Sequence, residues 1–352
     1  MIFHNKPTLG KEEIVAAARV IKSGWIAQGN EVKKFEDEFS GFLFKKPGHA
    51  AAVSSGTAAL YLALVSLGIK RGDEVISPTY VCSAVLNAIF MARARPVLID
   101  IENLNLSYSE TAKKVNKRTK AIIITHTFGY PADMNKFLNL GIPLIEDCAQ
   151  ALGSKFHNKY AGTFGDIAIF SFYASKMMTT GYGGMVFSKN KNLIAKIKDY
   201  REFDCRKGYK PRFNFQMSDL QAAIGRAQLK KLPGFLRKRN QIAAEYSKSI
   251  NDVRFPKKSN SAKPNFYRFL LKITNPRRLQ NYFLKNKIKT IVPIARHELL
   301  HNYLGLPPKN YPVSEEIAKT TLSLPIYPGL SKKQIGYIKA VLHKYFKYEK
   351  KI

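Results

Sequence analysis

A single lysine, Lys176, stands among small polar residues in the stretch Ser171-Phe172-Tyr173-Ala174-Ser175-Lys176-Met177-Met178-Thr179-Thr180-Gly181-Tyr182-Gly183-Gly184. The apolar run Asp166-Ile167-Ala168-Ile169-Phe170 leads into it and reads as a buried strand. Functional loops of α/β enzymes follow such strand ends. A lysine held there can lose its proton and attack a carbonyl, which is Schiff-base chemistry. Taken alone the loop better suits an ordinary surface lysine, so it needs partners. One is Ser55-Gly56-Thr57, between the short strand Ala51-Ala52-Val53-Ser54 and the helix beginning Ala58-Ala59-Leu60. Free N–H groups and the positive end of the helix dipole converge at such a step and make an anion site, although Ser and Thr also cap helices purely for stability. A second partner is Asp147-Cys148-Ala149-Gln150, at the end of the apolar run Pro143-Leu144-Ile145-Glu146.

The elements that must position these groups alternate. Strands are expected at 51–54, 74–77, 96–100, 121–125, 143–146, 166–170 and 184–188. Helices are expected between several of them, with 81–92 and 191–202 the clearest. Near-continuous apolar strands are those covered on both faces, so the pattern predicts an α/β fold with a mostly parallel central sheet flanked by helices. Asp147, Gln150 and Lys176 would then open near one edge of that sheet. Ahead of the sheet, Ile14, Ala17, Ala18 and Ile21 form the apolar face of a helix over 10–22. Val32, Phe35, Phe39 and Phe42 form that of a second. Ser218-Asp219 caps a helix over 220–231, and a separate basic helix with Phe235, Ile242, Ala243 and Tyr246 follows. Beyond about 250 short strands and helices suggest a smaller α+β domain. The expected division is 1–248, with an N-terminal segment 1–30, and 249–352.

Composition bounds the rest. A chain of 352 residues with 45% hydrophobic and 12% aromatic content is globular. No apolar run approaches a membrane span, and Met1–Lys6 shows no signal peptide. Cys82, Cys148 and Cys205 are isolated, which argues against zinc or disulfides and fits a reducing cytoplasm. The net charge of +33 is concentrated after residue 150. Its lysines are scattered, without a compact basic tract, so a specific nucleic-acid partner is not expected.

Taken in order, these motifs resemble the DegT/DnrJ/EryC1/StrS family of pyridoxal-phosphate-dependent sugar aminotransferases, with the type I aspartate-aminotransferase fold. The resemblance extends through Ser23-Gly24-Trp25-Ile26-Ala27-Gln28-Gly29, Gly72-Asp73-Glu74-Val75-Ile76, Gly165-Asp166, Met217-Ser218-Asp219-Leu220-Gln221 and Leu322-Ser323-Leu324-Pro325-Ile326-Tyr327-Pro328. It implies that Lys176 holds pyridoxal 5′-phosphate as a Schiff base and then shuttles a proton. Asp147 would face the pyridine nitrogen, and Gln150 the ring oxygen. Gly56, Thr57 and Ser171 would hold the phosphate. Asn214 would reach the partner subunit's phosphate, which implies a homodimer with shared sites. Cys82 stands where many members stack an aromatic ring, with Tyr80 nearby, and Tyr182 stands where a glutamate is common. Gln216 replaces a common arginine. The implied reaction moves an amino group from an amino acid, expected to be glutamate, to a nucleotide-linked keto sugar, with Tyr182, Arg296 and His301 as candidate substrate contacts. Two alternatives stay open at this point. A dehydratase of the same family would carry histidine in place of Lys176. A non-catalytic basic regulator would have no need of Lys176, Asp147 and Gln150 together.

Overall fold

The computed structural model describes residues 1–205, 207–250, 254–256 and 261–349. Two helices, α1 (Lys11–Ser23) and α2 (Asn30–Phe44), precede the alternating region. That region runs β1 (Ala50–Val53), α3 (Gly56–Ser66), β2 (Glu74–Pro78), α4 (Ala84–Met91), β3 (Arg95–Ile99), β4 (Thr119–Thr125) and β5 (Leu144–Asp147). It ends with β6 (Ile167–Ser171), β7 (Gly184–Phe187), α5 (Lys191–Tyr200) and the long α6 (Asp219–Ser249). The seven strands form one sheet in the order β1-β7-β6-β5-β4-β2-β3. Neighbours from β6 to β3 are parallel, and β7 alone runs against both of its neighbours. β1, α3, β5 and β7 are buried almost throughout, which is why their sequences are apolar without alternation. Because β1, β5 and β6 point the same way, the start of α3 and the ends of β5 and β6 share one edge. This is where open α/β sheets bind ligands.

The rest of the chain adds a three-stranded antiparallel sheet of β8 (Arg254–Phe255), β9 (Phe269–Lys272) and β10 (Thr321–Leu324). Around it lie α7 (Pro276–Lys285), α8 (Pro312–Thr320) and α9 (Lys332–Glu349). The 248/249 division falls at the end of α6. An apolar core continues across it, from Phe35 and Phe39 of α2 to Ile338 and Leu342 of α9. The N-terminus is tied to the same later region: Ile2 exchanges main-chain hydrogen bonds with Lys287 (2.8 Å) and Lys289 (2.9 Å).

Two expectations are corrected. α1 forms where its periodicity predicts, but its apolar face points outward, with Ile14 70% and Ile21 60% exposed. The helix is instead turned by Glu13, which is buried and accepts hydrogen bonds from Gln228 Nε2 (2.8 Å) and Lys231 Nζ (2.7 Å) of α6. The second concerns the helices expected over 220–231 and beyond, which are one. α6 passes through Pro233, at a cost of about 3 kcal/mol for a helix interior. Burial of Phe235, Ile242, Ala243 and Tyr246 on the far side of the proline, with Tyr246 Oη donating to Pro325 O (2.8 Å), offsets that cost.

Candidate active site

The lysine loop is closed on itself. Thr180 N donates to Phe172 O (3.0 Å), and Phe172 N donates to Gly183 O (2.9 Å). Gly183 has φ +155, and a Cβ there would lie 2.5 Å from Thr180 Oγ1 and 2.6 Å from Met217 Cε. No larger residue fits that return. Phe172, Met177 and Met178 are buried and anchor the loop, which leaves Lys176 half-buried at the sheet edge.

Opposite the loop stands the first turn of α3. Ser55 caps it by accepting from Ala58 N (3.0 Å), while the N–H groups of Gly56 and Thr57 have no carbonyl within the helix to bond. A Cβ on Gly56 would come within 2.9 Å of Ser171 Cβ. The glycine thus lets the positive helix end approach the Ser171 hydroxyl, two sets of anion donors on one spot.

Asp147 closes the third side. It is 8% exposed and accepts one hydrogen bond, from Ala149 N to Oδ1 (2.9 Å). Burial pushes its pKa above the ordinary carboxylate value, against the opposing pull of the Ala149 N–H, Lys176 and His126. Gly56, Thr57, Cys82, Asp147, Ser171, Lys176 and Tyr182 all line one cavity of about 210 Å³. A larger cavity of about 790 Å³ is lined by Tyr108, Tyr130, Phe137, Phe156 and Phe266 and holds none of the predicted residues. Chemistry, rather than size, marks the smaller one.

These features fit a phosphorylated pyridine aldehyde. It needs an anion site, a carboxylate for its ring nitrogen and an amine for its carbonyl, and the cavity presents one of each. The profile of the DegT/DnrJ/EryC1/StrS aminotransferase family matches residues 7–343. The chain belongs to that family. It is accordingly an aminotransferase working with pyridoxal 5′-phosphate. It is 33% identical over 356 residues to GDP-perosamine synthase of Escherichia coli O157:H7, with 97% of each chain covered. It is 34% identical to dTDP-4-dehydro-2,3,6-trideoxy-D-glucose 4-aminotransferase of Saccharopolyspora spinosa, with 72% of each covered. Among solved structures, the aminotransferase TlmJ from Streptoalloteichus hindustanus superimposes with a TM-score of 0.90 at 28% identity, over 99% of this chain and 100% of that one.

Not every candidate residue reaches the aminotransferase cavity. Gln150 is not among the cavity-lining residues: its Oε1 accepts from Phe128 N (2.8 Å), and its neighbour Ala149 lines the cavity. Tyr80 is fully buried, edge-on to Phe128 at 5.9 Å, so Cys82 and not Tyr80 lies on the cavity wall. Asn214 is exposed, between Phe213 and Phe215, whose stacked rings pack against Tyr61.

Neither Arg296 nor His301 lines the Lys176 cavity, and each is held by contacts of its own. Arg296 Nε pairs with Glu315 (2.5 Å). His301 is wholly buried, between Thr79 Oγ1 (2.7 Å), Glu315 Oε1 (3.2 Å) and the stacked ring of Tyr311. Burial is the main cause holding its pKa below the ordinary value. Together they clasp the loop after β2 to α8. Nothing local to residue 301 signals this, because its partner Glu315 arrives from another helix.

Tyr173 also lines the cavity, its ring 5.4 Å from that of Tyr182. Tyr267 lies behind Lys176, with its ring centroid 5.4 Å from Nζ. Nothing in the sequence near residue 267 signals that contact with the lysine loop.

Proposed function

We propose that this enzyme transfers an amino group from an amino acid, with glutamate the expected donor, to a keto sugar carried on a nucleotide. The observation that carries the reading is the convergence of Lys176, Asp147 and the α3 N-terminus on one cavity. Relatives named for GDP- and dTDP-linked sugars support the acceptor class. When bound, the cofactor supplies an electron sink for the carbon that loses or gains the amine. Lys176 would hold the cofactor through its Nζ and, once released, would move a proton at that atom. Asp147, its charge disfavoured by burial, would face the cofactor's ring nitrogen and gain a counter-charge there. The Gly56 and Thr57 N–H groups and the Ser171 hydroxyl hold the phosphate.

The reading extends to a homodimer, with Asn214 donating across the interface to the partner's phosphate. Exposure of Asn214, and of Ile14, Val15, Ile21, Trp25 and Ile26, supports it, since an outward apolar face of this kind is often a contact surface. Residues 1–248 would form the cofactor domain and 249–352 the smaller one, in a cytoplasmic enzyme. Among the described residues no helix is long and apolar enough to cross a membrane.

The test is a two-stage incubation. Purified protein with pyridoxal phosphate should gain visible absorbance that borohydride removes. Its amine form should then convert members of a panel of nucleotide keto sugars. Absorbance without conversion of any keto sugar would overturn the substrate class.

A further inference from the structure

Behind Lys176 the chain buries positive charge with no negative charge beside it. Arg239 of α6 is 2% exposed and spends Nη1 on the carbonyls of Phe266 (3.0 Å), Tyr267 (3.3 Å) and Ile326 (2.8 Å), while its Nε has no hydrogen-bond partner. Arg268 Nε is likewise buried and unpartnered, and its Nη1 touches only the His4 ring, at 3.5 Å. Among the described residues no carboxylate pairs with Lys176, Arg239 or Arg268. Buried charge of one sign is costly unless something compensates it.

The side chain these cations share is Tyr267. Its ring centroid lies 5.4 Å from Lys176 Nζ and 5.0 Å from Arg268 Cζ, and its hydroxyl is 3.4 Å from Ser175 Oγ. Its main chain is fixed by the Asn265 side chain, which accepts from Tyr267 N (2.8 Å), as well as by Arg239. A ring face attracts a cation. A phenol ringed by cations also ionises more readily. Burial alone would raise the Tyr267 pKa, yet Lys176, Arg268, the Ser175 hydroxyl and Arg239 together bring it down to about 8.

We propose that Tyr267 is the positioning residue for Lys176, its ring face receiving the side chain whenever the amine is not bonded to the cofactor and its phenol setting how readily that amine exchanges a proton. The inference rests on the reading of Lys176 given above. When the Lys176 ammonium gives up one proton it becomes a neutral amine, and a neighbouring phenolate loses its attraction. The ease with which the Tyr267 phenol ionises therefore depends on the charge of its neighbours, Lys176 first among them. The other charged groups facing the ring are Arg239 from α6 and Arg268 from its own segment, with His4 of the N-terminal segment beyond.

The test uses the holoenzyme with Tyr267→Phe, which keeps the ring, and Tyr267→Leu, which removes it. In Tyr267→Phe the pH at which the bound cofactor changes absorbance should move by about one unit. The rate of the donor half-reaction should fall about tenfold, with the donor KM changed by less than about twofold. Tyr267→Leu should lose on the order of a hundredfold in that rate, within the range of a mispositioned proton-transfer group. Wild-type titration and rate profiles in both variants would overturn the proposal, as would losses that only track a lowered Tm or lost cofactor. If the wild type itself shows no borohydride-sensitive absorbance, the Lys176 reading falls and takes this one with it. If it does and the variants are silent, only Tyr267 falls.

Discussion

Glu146 and Asp147 are consecutive carboxylates on β5, both buried, and they face opposite sides of the sheet. Glu146 is saturated. It takes His126 Nε2 (2.9 Å) and the N–H groups of Gly162 (2.8 Å), Phe164 (2.7 Å) and Gly165 (2.7 Å). Burial works against its charge, but these donors prevail and its pKa lies below the ordinary value. Asp147 takes a single N–H and burial wins, so its pKa is raised. One residue of register thus separates a carboxylate that holds the fold from one left wanting a cation. Unmet bonding capacity on a cavity wall, more than burial or charge, distinguishes the working face. The His126–Glu146–Cys148 cluster has the composition of a metal site, yet the four donors to Glu146 account for it as structure.

Lys176→Ala should strike the working side hardest. Turnover should fall by at least about 10²–10⁴-fold, the range for a proton-transfer group, while circular dichroism and Tm stay near wild type. A variant with substantial transamination would remove Lys176 from the reaction. The paired substitutions on β5 come next. Asp147→Asn should cost on the order of 10²–10³-fold in turnover without lowering the Tm of the cofactor-free protein. Glu146→Gln should destabilise by about 3 kcal/mol or more, since several charge-assisted bonds are lost in a buried site. Equal Tm values for the two variants would break the comparison.

A smaller effect is expected at Asn214. Asn214→Ala should weaken cofactor affinity about tenfold, as loss of one charge-assisted hydrogen bond of roughly 1.5 kcal/mol requires. Mixing it with Lys176→Ala should partly restore activity, because some heterodimers then hold one site with both native residues. No restoration would place Asn214 in its own subunit's site.

The smallest signal is a pH dependence of opposite sign at the two carboxylates. Glu146, with a lowered folded pKa, contributes stability that is full above about pH 4.5 and lost as pH falls through the folded value. Asp147, with a raised one, adds a penalty that is absent below about pH 3.8 and grows as pH rises through that value towards the folded pKa. Denaturation of the cofactor-free protein across pH should therefore show Asp147→Asn gaining on wild type as pH rises. A parallel pair of curves would sink the assignment of the shift.

Most of the sheet could be read from the sequence because doubly covered strands are apolar without a break, as at Ala121–Ile124 and Leu144–Ile145. The lysine loop and the α3 N-terminus were legible for a related reason: glycines, hydroxyls and a lone lysine have local meanings. What could not be read depends on groups that meet only after folding. Glu13, a surface residue by type, is buried by Gln228 and Lys231 and turns the apolar stripe of α1 outward. His301 is consumed by Glu315 and Thr79. Gln150 has the right spacing from Asp147 for a cofactor contact, but the Phe128 N–H competes for its amide oxygen. Pro233 reads as a helix break, and only the long-range anchoring of Arg239 and Tyr246 explains why it is not one.

The reversed strand β7 has a consequence in time as well as in space. It slots between β1, near the start of the alternating region, and β6, which precedes it. The Gly56 N–H and the Ser171 hydroxyl become neighbours only once that insertion has joined the two stretches. On the ribosome α3 emerges long before the lysine loop, and contacts between such distant segments are slow to form. A nascent chain therefore offers the cofactor half a phosphate cradle and no lysine. Cofactor capture is thus expected late in folding, and a chain truncated before β7 should not retain cofactor, because β7 is the strand that joins β1 to β6.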